Sequence, residues 1–218
     1  MGSNKKLSLW GDILNQKPQK QTQPQGNVWE VTVRNANGAP AILCKNGKEW
    51  FHADKTWPSP SGAYYIHTGM DGNANEGIAT TTKNEGIRIR KTEDFVEAAL
   101  ITDEGVGYAI TDEGVLYVLT ADTASQRRLC EDYEPNTYML TPQLCAVIYD
   151  ADSDDDLEAA YLKVIDLKSF KSWKKKIRYS AERGKNLIFK IEQSGSIIKA
   201  IMPDQSVHEF TTDGKIIK

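Results

Sequence analysis

The sequence predicts an all-β chain. Short segments alternating apolar and polar residues recur between glycine-containing turns, and helical periodicity is nearly absent. One stretch repeats its own strand-and-turn chemistry nine residues on: Ile101-Thr102-Asp103-Glu104-Gly105-Val106 returns as Ile110-Thr111-Asp112-Glu113-Gly114-Val115. Alternation marks strands buried on one face, and acidic-Gly pairs between such runs mark hairpin turns.

In chain order, residues 1–26 read as a flexible tail. Gln16 to Gln25 is Gln, Lys and Pro with one Thr, and buries nothing that would offset its ordering entropy. Residues 27–218 form the all-β domain. Its first unit is Val28–Val33, the Asn37-Gly38 turn, Ala41–Cys44, the Asn46-Gly47 turn and Glu49–His52. A second follows Pro58-Ser59-Pro60-Ser61-Gly62, with Ala63–His67, Gly77–Thr82 and Gly86–Lys91 as strands around turns at Asp71-Gly72 and Asn84–Gly86. The third carries the echo in Val96–Thr102, Gly107–Thr111 and Val115–Thr120, with Gln126–Cys130 as a fourth strand on the outside. The fourth has Tyr138–Leu140, Leu144–Tyr149, Ala160–Asp166 and Trp173–Tyr179. The fifth has Asn186–Glu192, Ile197–Met202, Val207–Thr211 and Ile216-Ile217. Asp154–Ala160 and Ser180–Lys185 have room for one helical turn each.

A sheet of three or four short strands cannot bury both faces by itself. Stacking such sheets around an axis does so and leaves short, protected edges. The expected fold is therefore a small β-propeller of about five blades, with a β-sandwich or barrel as the alternative. Gly105 to Thr120 resembles a blade of the quinoprotein-like and WD40-like β-propellers, in which a strand, an Asp-x-Gly turn and a Gly-x-Leu-Tyr-x-Leu strand follow one another. Leu162–Lys168 and Val207–Lys215 resemble other segments of that repeat. The chain departs from both families in lacking a Trp-Asp dipeptide and a Trp recurring once per unit.

Charge is unevenly spread. Residues 91–166 hold 4 basic and 18 acidic side chains, net −14, whereas 167–218 hold 12 basic and 5 acidic, net +7. Such asymmetry bears on surface potential and partner steering rather than on fold. No window forms the uninterrupted apolar run of a membrane helix, and the first residues do not read as a secretory signal. Cys44, Cys130 and Cys145 are odd in number and lack C-x-x-C spacing, so free thiols in or near the core are expected. A cytoplasmic location is the expectation that goes with them.

Two constellations are candidate binding sites. The first is aromatic: Trp50, His52, Trp57, Tyr64 and His67 flank the Pro-Ser-Pro loop, and their rings could stack on a sugar, a base or a peptide. The alternative is core packing between adjacent sheets. The second is the basic run Lys168–Arg178, in which Lys171, Trp173 and Lys175 combine cations with a ring, a recipe for phosphate contact plus stacking. A strand kept off other edges by its lysines explains the same pattern. Asp150, Asp152 and Asp154 fit the first ligand positions of an EF-hand loop, but Asp155 stands where Gly is needed and Tyr161 where Glu is needed. No metal site and no cofactor are expected.

No catalytic constellation survives these comparisons. The expected function is a non-catalytic binding module recognising a protein partner through its loops and its polarised charge. A carbohydrate-binding or glycoside-hydrolysing propeller is one alternative. A nucleic-acid-associated subunit is the other, disfavoured by the adjoining −14 block. No membrane contact is expected, and the sequence names no small ligand.

Overall fold

Among the described residues, most of the alternating segments form strands. The computed structural model describes residues 29–33, 41–45, 48–71, 73, 76–82, 88–92, 94–120, 123–130, 134–152, 158–180 and 187–217, to which all structural statements refer. The expected tail, the turns at Asn37-Gly38, Asn46-Gly47 and Asn84–Gly86, and residues 181–185 lie outside them.

The described residues contain no helix and form four sheets of hairpin-linked strands. The first has six strands in sequence order: β1 (Trp29–Val33), β2 (Ala41–Lys45), β3 (Lys48–Pro58), β4 (Tyr64–Asp71), β5 (Glu76–Thr82) and β6 (Arg88–Lys91). The second is β7 (Val96–Ile101), β8 (Gly107–Thr111), β9 (Val115–Leu119) and, outermost, β10 (Ala124–Arg128). The third is β11 (Pro135–Leu140), β12 (Leu144–Ala151), β13 (Glu158–Asp166) and β14 (Ser172–Tyr179). The fourth is β15 (Lys190–Ser194), β16 (Ile197–Ile201) and β17 (Val207–Thr211).

The first two expected units are thus one sheet. Their junction is the eleven-residue β3, which pairs with β2 through Lys48–Ala53 and with β4 through Phe51–Pro58. A register shift between Ala53 and Lys55 inserts one residue. It puts Thr56 on the same face as Phe51 and Ala53, which strict alternation would forbid. Glu158 and Ala159, expected to join a helical turn, instead extend the expected Ala160–Asp166 strand and open β13, paired with Tyr179 and Arg178.

The described residues pack as two units, those within 29–109 and 117–125 and those within 110–116 and 126–217. In the first, one face of the six-stranded sheet carries Leu43, Phe51, Ala53, Thr56, His67, Ala79 and Thr81, all buried. The other face buries Ile66 and Ile78, and β3 and β4 there meet β7. In the second unit the third sheet meets the fourth through Leu144, Ile148, Leu162, Ile177, Ile198 and Phe210. Each such side chain contributes roughly 1.5–3 kcal/mol by leaving water. The third sheet's opposite face buries Cys145, Val147, Tyr149 and Ile165.

The echo folds as two turns of one design. In the first, Gly105 N–H donates to Thr102 C=O at 3.0 Å and Val106 N–H donates to Thr102 Oγ1 at 3.3 Å. In the second, Gly114 N–H donates to Thr111 C=O at 3.0 Å and Val115 N–H to Thr111 Oγ1 at 3.1 Å. A third copy closes β17: Gly214 N–H donates to Thr211 C=O and Lys215 N–H to Thr211 Oγ1, both at 2.9 Å. The glycines adopt the left-handed conformation, with φ of 78° at Gly105 and 86° at Gly214, where a Cβ is strained.

Two of these glycines are also covered by a ring. A methyl group on Gly105 would sit 2.8 Å from Tyr64 Cε1, and one on Gly214 would sit 2.8 Å from Trp173 Cγ. Gly195, at φ 59°, has nothing within 4 Å of that position. Gly195→Ala should therefore cost about 1–2 kcal/mol for backbone strain alone. Gly105→Ala and Gly214→Ala should each cost about 2–4 kcal/mol, because overpacking adds to strain. Urea unfolding of the three variants checks the difference.

Candidate binding site

The structure divides the aromatic segment between the two faces of the first sheet. His52, paired with Met70, is exposed, and its Nε2 lies 3.2 Å from Glu49 Oε2. Trp57 is half-buried beside Ile66, and Tyr64 follows on the same face two residues before Ile66. Trp50 lies in β3, and its side chain lies outside the described residues. His67 points the other way.

His67 is fully buried, stacks on Tyr65 with ring centroids 6.2 Å apart, and has both ring nitrogens engaged. Nδ1 is 2.9 Å from Thr56 Oγ1 and Nε2 is 3.0 Å from Thr81 Oγ1. A neutral imidazole offers one donor and one acceptor, and a threonine hydroxyl serves either. One hydroxyl therefore donates to the bare nitrogen and the other accepts from the N–H. Both ring positions are used inside the protein.

Tyr64 rests on Gly105, and the loop before it is tied to the same turn. Ser61 N–H and Oγ–H both donate to Asp103 Oδ1, at 2.8 and 2.6 Å, and these bonds hold the Asp103 carboxyl below the usual range. The Pro58–Gly62 loop and the first echo turn form one joint.

The second constellation lies on β14, the last strand of the third sheet. Its residues alternate: Trp173, Lys175, Ile177 and Tyr179 face the fourth sheet, while Lys174, Lys176 and Arg178 face the other way and are exposed. Lys174 Nζ sits 4.3 Å from the Tyr161 ring centroid, a cation–π contact. Lys176 donates to the Asp152 carbonyl at 2.7 Å. Lys171, exposed in the preceding turn, accepts from Asp166 N–H through its carbonyl at 2.9 Å. Lys175 is half-buried opposite Leu162. Trp173 covers Gly214, tilts against Phe210 at 5.6 Å, and donates from Nε1 to the Thr212 carbonyl at 2.9 Å.

Beside Trp173, at the turn end of the third and fourth sheets, lies a cavity of about 310 Å³ lined by Gln143, Leu144, Val164, Asp166, Gln193 and Ser196. Thr212 closes one side, held by its N–H to the Ser196 carbonyl at 2.9 Å and by Trp173 at its own carbonyl. The Asp166 carboxyl is kept below the usual range by the Ser169 hydroxyl and amide, the latter at 2.6 Å from Oδ1. Sequence reasoning missed these residues. Their one local signal is that Asp166, Ser194-Gly195 and Thr212 all border turns, but nothing local shows that those turns meet.

The cysteines are free, and burial pushes Cys130 up to about 11 and Cys145 up to about 12. Neither is a poised nucleophile. Compared with models of known protein families and with curated proteins, the chain matches none.

Burial pulls the His67 pKa down to about 4 from 6.5. The unfolded chain takes up this proton near pH 6.5 and the folded protein only near 4, so this contribution is full above 6.5 and shrinks as pH falls. The loss over that window is up to about 3 kcal/mol. The depressed carboxyls of Asp103, Asp166, Asp204 and Asp213 act lower, since their loss begins only near the unfolded value of 3.8. Urea unfolding at pH 7 and 4.5 should show wild type losing its advantage over His67→Gln as pH falls.

Proposed function

We propose that the protein is a non-catalytic binding module that recognises another protein, and that the contact is an acidic segment laid along the β14 edge. The observation that carries this reading is the exposed cationic face of an edge strand: Lys174, Lys176 and Arg178, with Lys168 and Lys171 in the turn before it. An edge strand offers main-chain hydrogen bonding to an extended peptide. Its lysines oppose pairing with a second copy of itself, by like charge, and favour an acidic partner. Lys174 braced on Tyr161 and Lys176 on Asp152 hold those charges in place at reduced entropic cost.

Capture from native lysate tests this, comparing wild type with Lys171→Glu/Lys174→Glu/Lys176→Glu. Wild type should retain an acidic protein that is released between about 0.15 and 0.5 M salt, as screening shortens the reach of surface charge. The triple variant should retain none of it while unfolding at the same urea concentration. Equal capture by the variant would overturn the proposal. Loss of capture on nuclease treatment would do so in favour of nucleic acid.

A further inference from the structure

We infer that the cavity at the turn end of the third and fourth sheets is a binding site for a neutral polyhydroxylated ligand, a carbohydrate of one or two rings. It is separate from the β14 edge and does not depend on it. At about 310 Å³ it falls at the small end of ligand pockets. Leu144 and Val164 close its base from within the core and are themselves buried, so the accessible wall is its polar rim. On that rim stand three planar polar groups: the Asp166 carboxylate and the Gln143 and Gln193 carboxamides. Planar groups with two polar atoms match adjacent hydroxyls, which donate and accept at once. The Ser196 hydroxyl adds a further partner.

The charge of the lining selects among ligands. Asp166 is its one carboxylate among the described residues, and Asp166 repels phosphates and carboxylates while accepting from hydroxyls. Glycoside hydrolysis uses a pair of carboxyl groups flanking the bond, so the arrangement binds rather than cleaves.

The walls are fixed before any ligand arrives. Thr212 is held from two sides, Leu167 N–H donates to the Gln143 carbonyl at 2.8 Å, and Gln193 Nε2 donates to the Gly195 carbonyl at 3.0 Å. Preorganisation of this kind spares ordering entropy on binding. The first unit has a comparable joint, and there Ser61 is bonded to Asp103. In the second unit the corresponding turns stand around the cavity.

Titration of the labelled protein with glucose, galactose, mannose, N-acetylglucosamine, maltose and cellobiose, followed by amide NMR, tests the site. At least one sugar should move the amides of Asp166, Gln193, Ser196 and Thr212 saturably, with a dissociation constant of about 0.1–10 mM, ordinary for a small neutral ligand. Gln193→Ala should weaken it about fivefold, the loss of one hydrogen bond. Ser196→Trp, an exposed turn position, should fill the cavity and abolish it with unfolding unchanged. Inorganic phosphate should move none of these amides. The inference is overturned if no sugar shifts them at about 100 mM, where such affinities would saturate, if the shifts survive Ser196→Trp, or if phosphate produces them equally. Lys174→Glu should leave the sugar shifts intact, so this site and the β14 contact succeed or fail separately.

Discussion

The contact on which the rest depends is an aromatic ring laid over a turn glycine. Gly105 and Gly214 must be glycine twice over: each has a positive φ, and each has a ring where a Cβ would stand. The turn in both cases is a Thr-x-x-Gly hairpin whose threonine hydroxyl accepts from the residue after the glycine. In both the ring precedes its glycine by the same interval, 64 to 105 and 173 to 214. One device, used once in each unit, sets how a strand of one sheet meets the turn of the next.

That device gives two aromatic side chains near polar loops a packing role. Tyr64 and Trp173 present large rings beside Ser, Lys and Asp, as a binding platform would. Each spends one face on a glycine, and Trp173 also spends its N–H on Thr212. His67, the third group of that kind, is held between two threonine hydroxyls in the core. The proposed recognition rests instead on the cationic face of β14 and on the polar cavity beside Trp173. The ring that covers Gly214 also fixes one wall of that cavity.

The all-β class, most strands and the outer position of β10 were legible because alternation and turn chemistry are local. So were the free thiols and the place of the lysine-rich segment on an edge strand. The merging of the first two units was not. It depends on the bulge between Ala53 and Lys55, which breaks alternation within β3 and carries the strand past the end of the alternating pattern. The covering of Gly105 by Tyr64 and the meeting of Asp166, Ser196 and Thr212 were also hidden, since each joins residues far apart in the chain. The echo made two Thr-x-x-Gly turns visible. The third, Thr211-Thr212-Asp213-Gly214, shares only its threonine and glycine, the two residues that the geometry requires.

A double-mutant cycle tests the central contact most directly: Tyr64→Ala, Gly105→Ala and the pair, by urea unfolding. If the ring occupies the space of the missing Cβ, Gly105→Ala should cost less by about 1–2 kcal/mol in the Tyr64→Ala background, the overpacking having been removed and the backbone strain left. Additivity within about 0.5 kcal/mol, the behaviour of independent sites, would contradict the account.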